Sequence, residues 1–326
     1  MRVPACLARA AAAAIIACGA AACYATHEHR EIREKPAVSG AASLQARVAL
    51  VAGDLRLGRG ERDALYDLKV RYCRSHFAPR LTHGGDGAPF LEVGLRRRRA
   101  EAVAVPAGEE RNRIDLGLNP DRPVDLRLDL GAGRHAATLG GLHLVGLEVA
   151  CGDGAVTLDF DEPTRGELER IAIDAGTGAL RLARLGNASP AGFVVHGGSG
   201  PIELDLRGAW RRDASLQVGV RLGDVLLLVP RALAVDLGAT GRDPADLLLV
   251  GFARGPEGRY LSPAADGARR LSIEIGPGIG LIEARLVDDD KMTSLAFTTR
   301  SPFDIKPALF LARRGSDPAP PSLRRR

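Results

Sequence analysis

Aromatic residues make up only 4% of the 326 positions, with a single tryptophan. A surface that stacks nucleic-acid bases needs several aromatic side chains along a basic groove, so a nucleic-acid partner is not expected. Cysteine is sparse at five residues, and none falls in a Cys-x-x-Cys or His/Cys cluster. A zinc site has no support, and neither a metal nor a cofactor is expected. Cys6 and Cys18 lie in the first segment, Cys23 borders it, and Cys73 and Cys151 remain for the body. In an oxidising compartment these two could pair. Two separate buried thiols are the favoured expectation, because Cys151 occupies a repeat position where small residues recur.

Excess charge of one sign is missing from the body. Removing Arg2 and Arg9 lowers the net charge from +5 to +3, and residues 313–326 carry five arginines and Asp317, a net +4. The body is thus near neutral at −1, and the high isoelectric point belongs to the tail. That basic tail, with Pro318, Pro320 and Pro321, reads as disordered over 313–326.

A long apolar run is also lacking. Arg2 and Arg9 precede an alanine and isoleucine stretch from Ala10 to Ala17, and small residues continue to Ala22. This is too short for a spanning helix and reads as an export signal over 1–22. Cys23 after Ala20-Ala21-Ala22 resembles a lipoprotein acceptor and is the expected lipid anchor. Cys18 fits the preferred leucine-like flank better but leaves too short an apolar core, and plain cleavage at an Ala-x-Ala site is the alternative. Export to the periplasmic face of a membrane or to the cell surface is expected in each case. Residues 23–42, with His27 and His29, read as a polar tether.

What is present is glycine, 39 residues of it, arranged with a period. Leu128-Asp-Leu130 leads into Gly131-Ala-Gly133. Leu147-Glu-Val149 precedes Gly152-Asp-Gly154, and Ile171-Ala-Ile173 precedes Gly176-Thr-Gly178. Val194-Val-His196 precedes Gly198-Ser-Gly200, and a weaker copy ends at Gly223. The second glycines fall at 133, 154, 178, 200 and 223, steps of 21, 24, 22 and 23 residues. Such regularity marks one supersecondary unit stacked on copies of itself. A coil of this length holds two short strands with a glycine corner, which suits corners and close backbone approach. The expected fold is all-β: a single-stranded, β-helix-like solenoid of roughly 22-residue coils, parallel and right-handed by the crossover rule, with β-rich terminal segments. Alternation alone leaves an antiparallel sandwich open. A Gly-x-Gly could also mark a phosphate loop, but no helix-forming segment follows any copy.

The repeat region spans 124–237. Before it, 43–123 reads as an amino-terminal β-module: Val48 to Leu57 is an early copy, Tyr66 to Tyr72 alternates strictly, and Pro79 to Pro89 is rich in turn residues. After it, 238–312 reads as a β-rich extension or cap. The 55 residues between Gly223 and Gly278 exceed two repeat steps and imply an insertion or capping unit.

The chain from Leu118-Asn-Pro-Asp121 through Gly131-Ala-Gly133 and Gly176-Thr-Gly178 to Gly186-Asn-Ala-Ser189 is similar to the toast-rack domains of bacterial envelope proteins. Val51-Ala-Gly53-Asp-Leu55-Arg-Leu57 and Leu116-Gly-Leu118-Asn119 resemble the family's amino-terminal module. The resemblance covers about residues 45 to 237. It implies a β-helix-like fold, an envelope location and a binding, adhesion or stress-sensing role, and it supplies no catalytic residues. Arg221 and Leu222 depart from the pattern by replacing the first Gly-Ala of the last copy. The chain also lacks the transmembrane helices of many toast-rack proteins, which argues against a direct sensor-kinase partner.

Other candidates are weaker. Arg96 to Arg99 could meet an anionic glycan, although Glu92, Glu101, Glu109 and Glu110 lie close by. Asp288-Asp289-Asp290 reads as a hydrated turn rather than a calcium site, because consecutive extended residues point to opposite sides. Trp210 reads as a cover over a coil. Asp159, Asp161 and Glu162 could supply the acid and base of a polysaccharide-acting enzyme. No partner acid is set opposite them, and His135, His143 and His196 read as scattered surface or return-segment residues. No catalytic residue is assigned. The expected function is a noncatalytic, lipid-anchored envelope module for adhesion, scaffolding or envelope-stress binding, with an unidentified protein or glycan partner.

Overall fold

Alternating apolar residues form strands when one face is dry, and here they line a flattened interior between two sheets. The structure, a computed structural model, describes residues 28–38, 43–84, 89–98, 112–263 and 267–288. The amino-terminal strands are β1 (His29–Glu34), β2 (Leu44–Ala52), β3 (Asp54–Arg59), β4 (Tyr66–Cys73), β5 (Phe77–Gly84), β6 (Phe90–Arg97) and β7 (Arg113–Leu118). The central strands are β8 (Val124–Ala132), β9 (Arg134–Thr138), β10 (Leu144–Cys151), β11 (Ala155–Asp159), β12 (Arg170–Asp174) and β13 (Leu180–Ala183). They continue as β14 (Gly192–Gly197), β15 (Ile202–Asp205), β16 (Ala214–Val220) and β17 (Val225–Pro230). The last are β18 (Ala234–Ala239), β19 (Leu247–Val250), β20 (Ala253–Arg254), β21 (Tyr260–Leu261), β22 (Arg270–Ile275) and β23 (Ile282–Val287).

An 11-stranded sheet runs β1-β4-β7-β3-β9-β11-β13-β15-β17-β23-β19, and a 12-stranded sheet runs β20-β21-β18-β22-β16-β14-β12-β10-β8-β2-β6-β5. Each coil gives one strand to each sheet, and every coil-to-coil pairing is parallel. The solenoid is thereby established, and the antiparallel sandwich is excluded.

Parallel register stacks like on like. Leu126, Leu147, Ile171, Phe193, Leu216, Ile273 and Leu237 are successive partners across the 12-stranded sheet. Val156, Leu180, Ile202, Val225 and Ile282 do the same across the other. All of these side chains are buried in one continuous core. Burying each such side chain contributes about 1.5–3 kcal/mol, which is why coils hold together only as a stack.

The order of coils in space departs from their order in the chain at both ends. The β2–β3 coil sits between β8–β9 and β6–β7, although β6 and β7 intervene in sequence. At the other end the β22–β23 coil inserts between β16–β17 and β18–β19. The expected division at 123/124 therefore has no counterpart in the sheets, since β2 pairs with β8 from Leu44↔Val124 to Ala52↔Ala132. The 55-residue gap before Gly278 is filled by a coil that caps the stack while the chain returns beneath it.

Two segments correct the sequence expectation. Within the supposed tether, residues 29–34 form β1 on the edge of β4, in register from His29↔Cys73 to Glu34↔Leu68. Charged residues hide this strand from an apolar pattern; the open edge of β4 recruits it, with Tyr66 donating its hydroxyl to Glu34 at 3.3 Å and Lys69 beside Glu31 at 3.3 Å. The turn-rich stretch from Pro79 begins instead inside β5, an edge strand where proline is tolerated because its missing donor faces outward. Cys23, His27, Arg99 and residues 289–326, including the basic tail, lie outside the described residues.

Candidate functional site

The nine corner glycines named from the sequence stack coil over coil. A Cβ on Gly154, Gly178 or Gly200 would fall within 3.0 Å of the backbone oxygen of the equivalent glycine one coil back, namely Gly133, Gly154 or Gly178. Gly131, Gly176 and Gly198 would likewise meet the carbonyls of Val51, Cys151 and Gly176. A Cβ on Gly152 would lie 3.2 Å from the Gly131 Cα, and one on Gly223 would lie 2.8 Å from the Gly200 oxygen. Only Gly133 (φ 145°) and Gly223 (φ 136°) among the nine also use a positive φ. The column is set by close approach of backbones more than by left-handed corners, and it has no room for a ligand.

The acids considered for catalysis are held by arginines. Asp159 takes a fork from Arg184, whose Nε lies 2.9 Å from Oδ1. Arg59 bridges Asp161 at 3.2 Å and Glu162. Each pair clamps one coil to another rather than opening toward a shared cleft. Asp288 is bonded by Arg231 at 3.0 Å. Trp210 covers a coil, donating its indole N–H to the Leu206 carbonyl at 2.7 Å. Among the described residues no group of three or more His, Cys, Asp or Glu side chains is placed to hold a metal ion. Cys73, buried, and Cys151, half-buried, form no disulfide with each other, and burial with the nearby Asp174 carboxylate pushes Cys151 up to about 12, far from a reactive thiolate.

His135 overturns the expectation of a surface residue. It is 3% exposed in β9, its Nε2–H donating to the Gly131 carbonyl at 3.1 Å, and its buried Nδ1 has no hydrogen-bond partner among the described residues. Burial holds its pKa below 6.5, so the neutral form is the folded form. The unfolded chain binds this proton first, so stability is full above pH 6.5 and is lost as pH falls through that value. The urea midpoint is expected to drop between pH 7.5 and pH 5, and His135→Leu should shrink that drop. An unaltered pH dependence would show that the site does not govern it.

A groove that brings side chains from five coils together lies on the outer face of the 12-stranded sheet. Arg47, Arg127, Glu148, Ala172 and Val194 are successive register partners across β2, β8, β10, β12 and β14. Asp129, Ala150, Asp174 and His196 form the next row. The small side chains Ala150 and Ala172 lower the floor, and the long charged ones wall a groove of about 390 Å³. It continues into a second concavity of about 380 Å³ bounded by Gln45, Phe90, Glu92 and Asp125. Phe90 is 39% exposed there.

Charges of both signs share the groove. Arg127 reaches Glu148 at 3.4 Å, and His196 reaches Asp174 at 3.4 Å. Arg47 and Arg170 have no carboxylate partner among the described residues. Exposed pairs of this kind contribute about 0–1 kcal/mol each, so they rearrange cheaply around a bound surface. Mixed charge over a small-residue floor suits an uncharged or mixed-charge polymer or protein strand more than a polyanion. In the sequence these residues appear only as the polar half of each alternation; register across five strands is what assembles them. The Arg96 to Arg98 run lies on β6 and beyond it, and Arg98 spends its Nε on the Phe77 carbonyl at 3.1 Å.

Comparison with known proteins follows from this architecture. Residues 24–183 match the family described as the N-terminal domain of toast_rack. No curated protein matches the chain. Among solved structures, a cell adhesion protein candidate from Clostridium sporogenes is 16% identical, with 80% of this chain and 100% of that chain covered and a TM-score of 0.41. An adhesin candidate from Bacteroides fragilis is 12% identical, covering 78% and 97% with a TM-score of 0.38. A lipid-binding protein candidate from Parabacteroides distasonis is 9% identical, covering 79% and 97% with a TM-score of 0.36. No helix among the described residues is long and apolar enough to cross a membrane.

Proposed function

We propose that this chain, whose residues 24–183 belong to the toast-rack family, is a noncatalytic module of the cell envelope that binds an envelope protein or glycan along its outer β-face. The observation that carries the proposal is the groove across β2, β8, β10, β12 and β14, where five coils contribute side chains to one surface. Adhesion and scaffolding need such a face on a rigid support, and a continuous parallel stack supplies the rigidity. The acids available for hydrolysis are engaged by Arg59 and Arg184 in different places, which favours binding over catalysis. Cross-linking in intact envelopes followed by pull-down is expected to recover a partner with the unaltered chain. Recovery should fall at least tenfold with Arg47→Glu/Arg170→Glu, a substitution on the solvent face that leaves the core unchanged. Equal recovery by both proteins would remove the groove from the partner surface.

Attachment through a lipid on Cys23 completes the proposal. Bacterial-type anchors carry more than one acyl chain, and each buried methylene contributes about 0.8 kcal/mol to membrane retention. Detergent-phase fractionation should place the unaltered chain in the detergent phase and Cys23→Ala in the aqueous phase. An unchanged partition would exclude lipidation at Cys23.

A further inference from the structure

We infer that the partner of the outer groove is a glycan, an extended β-1,4-linked pyranose chain laid across the strands; this rests on the groove being the binding face. The main chain beneath the groove has nothing left to offer a ligand. β2, β8, β10, β12 and β14 are each paired on both sides, so their N–H and C=O groups are spent within the sheet. An extended peptide is ordinarily recognised at a free strand edge, where its own main chain finds partners. Laid flat on this face it would leave those groups to side chains alone, at a cost wherever water is excluded. A sugar chain makes no such demand. Its hydroxyls both donate and accept around the rim of each ring, while the ring faces are C–H.

The groove has both textures that such a chain needs. Ala150, Ala172 and Val194 form a low apolar floor on β10, β12 and β14. Beside Val194, Gly192 leaves open space, the nearest atom to an added Cβ being the Glu169 oxygen at 3.9 Å. Around this floor stand donors, Arg47, Arg127 and Arg170, and acceptors, Asp129, Glu148 and Asp174. Hydroxyls match both kinds, which is how a mostly apolar site with a few placed polar groups orients a ligand. A polyanion would instead meet three carboxylates, and a polycation three guanidiniums.

The face is also long enough. Its two concavities run from Val194 on β14 past β12, β10, β8 and β2 to Phe90 on β6, five strand spacings or about 24 Å. An extended β-1,4-linked chain advances about one such spacing per sugar, so about five units fit. Phe90, 39% exposed at the far end beside Gln45 and Asp125, presents an aromatic face next to polar groups. The negative face of an aromatic ring suits the C–H side of a sugar.

Isothermal titration calorimetry of the full chain with chitohexaose, cellohexaose and their disaccharides tests this. At least one hexasaccharide is expected to bind saturably, at least about tenfold more tightly than its disaccharide. Ala150→Gln/Ala172→Gln raises the floor on the solvent face without changing charge. It should weaken that binding at least about tenfold while the melting temperature stays within a few degrees. Phe90→Ala should weaken the hexasaccharide about fivefold, and it decides the matter if the double variant melts lower. No saturable binding by either hexasaccharide would overturn the inference. So would equal affinity for the two lengths, or an affinity that neither variant moves. Cross-linking separates this failure from that of the groove itself. Partner recovery that still depends on Arg47 and Arg170, without sugar binding, makes the occupant a protein. Recovery indifferent to both arginines removes the groove as a binding face.

Discussion

Gly178→Ala is expected to abolish the cooperative fold, while Gly192→Ala should leave stability unchanged or slightly raised. Both glycines lie in the repeat region and neither uses a positive φ, so the contrast isolates space. The Cβ added at position 178 would sit 2.6 Å from the Gly154 carbonyl carbon, closer still to its oxygen, and 2.9 Å from the Asp153 carbonyl carbon. These are backbone atoms in a hydrogen-bonded coil, so relief requires the two coils to separate. Separation exposes the leucines and isoleucines on either side, and the cost exceeds about 4 kcal/mol, a large share of a domain's net stability. At position 192 the nearest atom is the Glu169 oxygen at 3.9 Å, ordinary contact distance, and a strand glycine replaced by alanine gains from a smaller unfolded-state entropy. Far-UV circular dichroism melts check this directly. A melting temperature for Gly178→Ala within a few degrees of the unaltered chain would refute the stacking argument.

Arg242→Met should unravel the carboxy-terminal coils without unfolding the centre. Arg242 is 8% exposed and has no carboxylate beside it among the described residues; its guanidinium is spent on three carbonyls. Nε donates to Gly276 at 3.0 Å, Nη1 to Gly280 at 3.0 Å and Nη2 to Val220 at 3.2 Å. The side chain thus rises from the cap coil, crosses the inserted β22–β23 coil and reaches the coil of β16. Methionine fills a comparable volume but leaves those acceptors without their donor, a loss of about 3 kcal/mol for charge-assisted bonds out of water. Because a solenoid is held by nearest neighbours, the loss should stay local. Hydrogen exchange should quicken in β18, β19, β22 and β23 and stay slow in β10 to β15. Uniform acceleration throughout, or none at all, would contradict this assignment.

These two residues show different degrees of legibility. Gly178 announces itself, because the repeat period places it in line with glycines one coil before and after. Arg242 does not: it is one of many arginines, and only the wedge of β22–β23 under the cap brings the three carbonyls to it. The asparagines behave similarly. Asn187 is buried with its amide donating to the Phe160 carbonyl at 2.8 Å and accepting from the Ala209 N–H at 3.0 Å, a tie across three coils. Asn112 does the same for the amino-terminal coils, donating to Ala52 and accepting from Cys73. Side chains that satisfy the backbone of distant segments carry no local pattern. β1 escaped notice for a related reason, since an edge strand needs main-chain partners more than apolar side chains.

From its residues alone this chain determined that it is β throughout, that coils repeat about every 22 residues, and that glycine sits where backbones meet. Those properties are local: alternation of period two and a fixed spacing survive in any register. Only the tertiary structure decided which coil lies on which, with β2–β3 inserted at one end and β22–β23 at the other. It also decided which charged residues share the groove and which are consumed in clamps such as Arg184 with Asp159. The physical reason is that every coil offers nearly the same apolar face to its neighbours. Pairing is therefore selected by end covers, corner fits and loop reach, terms that come into being only when residues far apart in the chain are brought together.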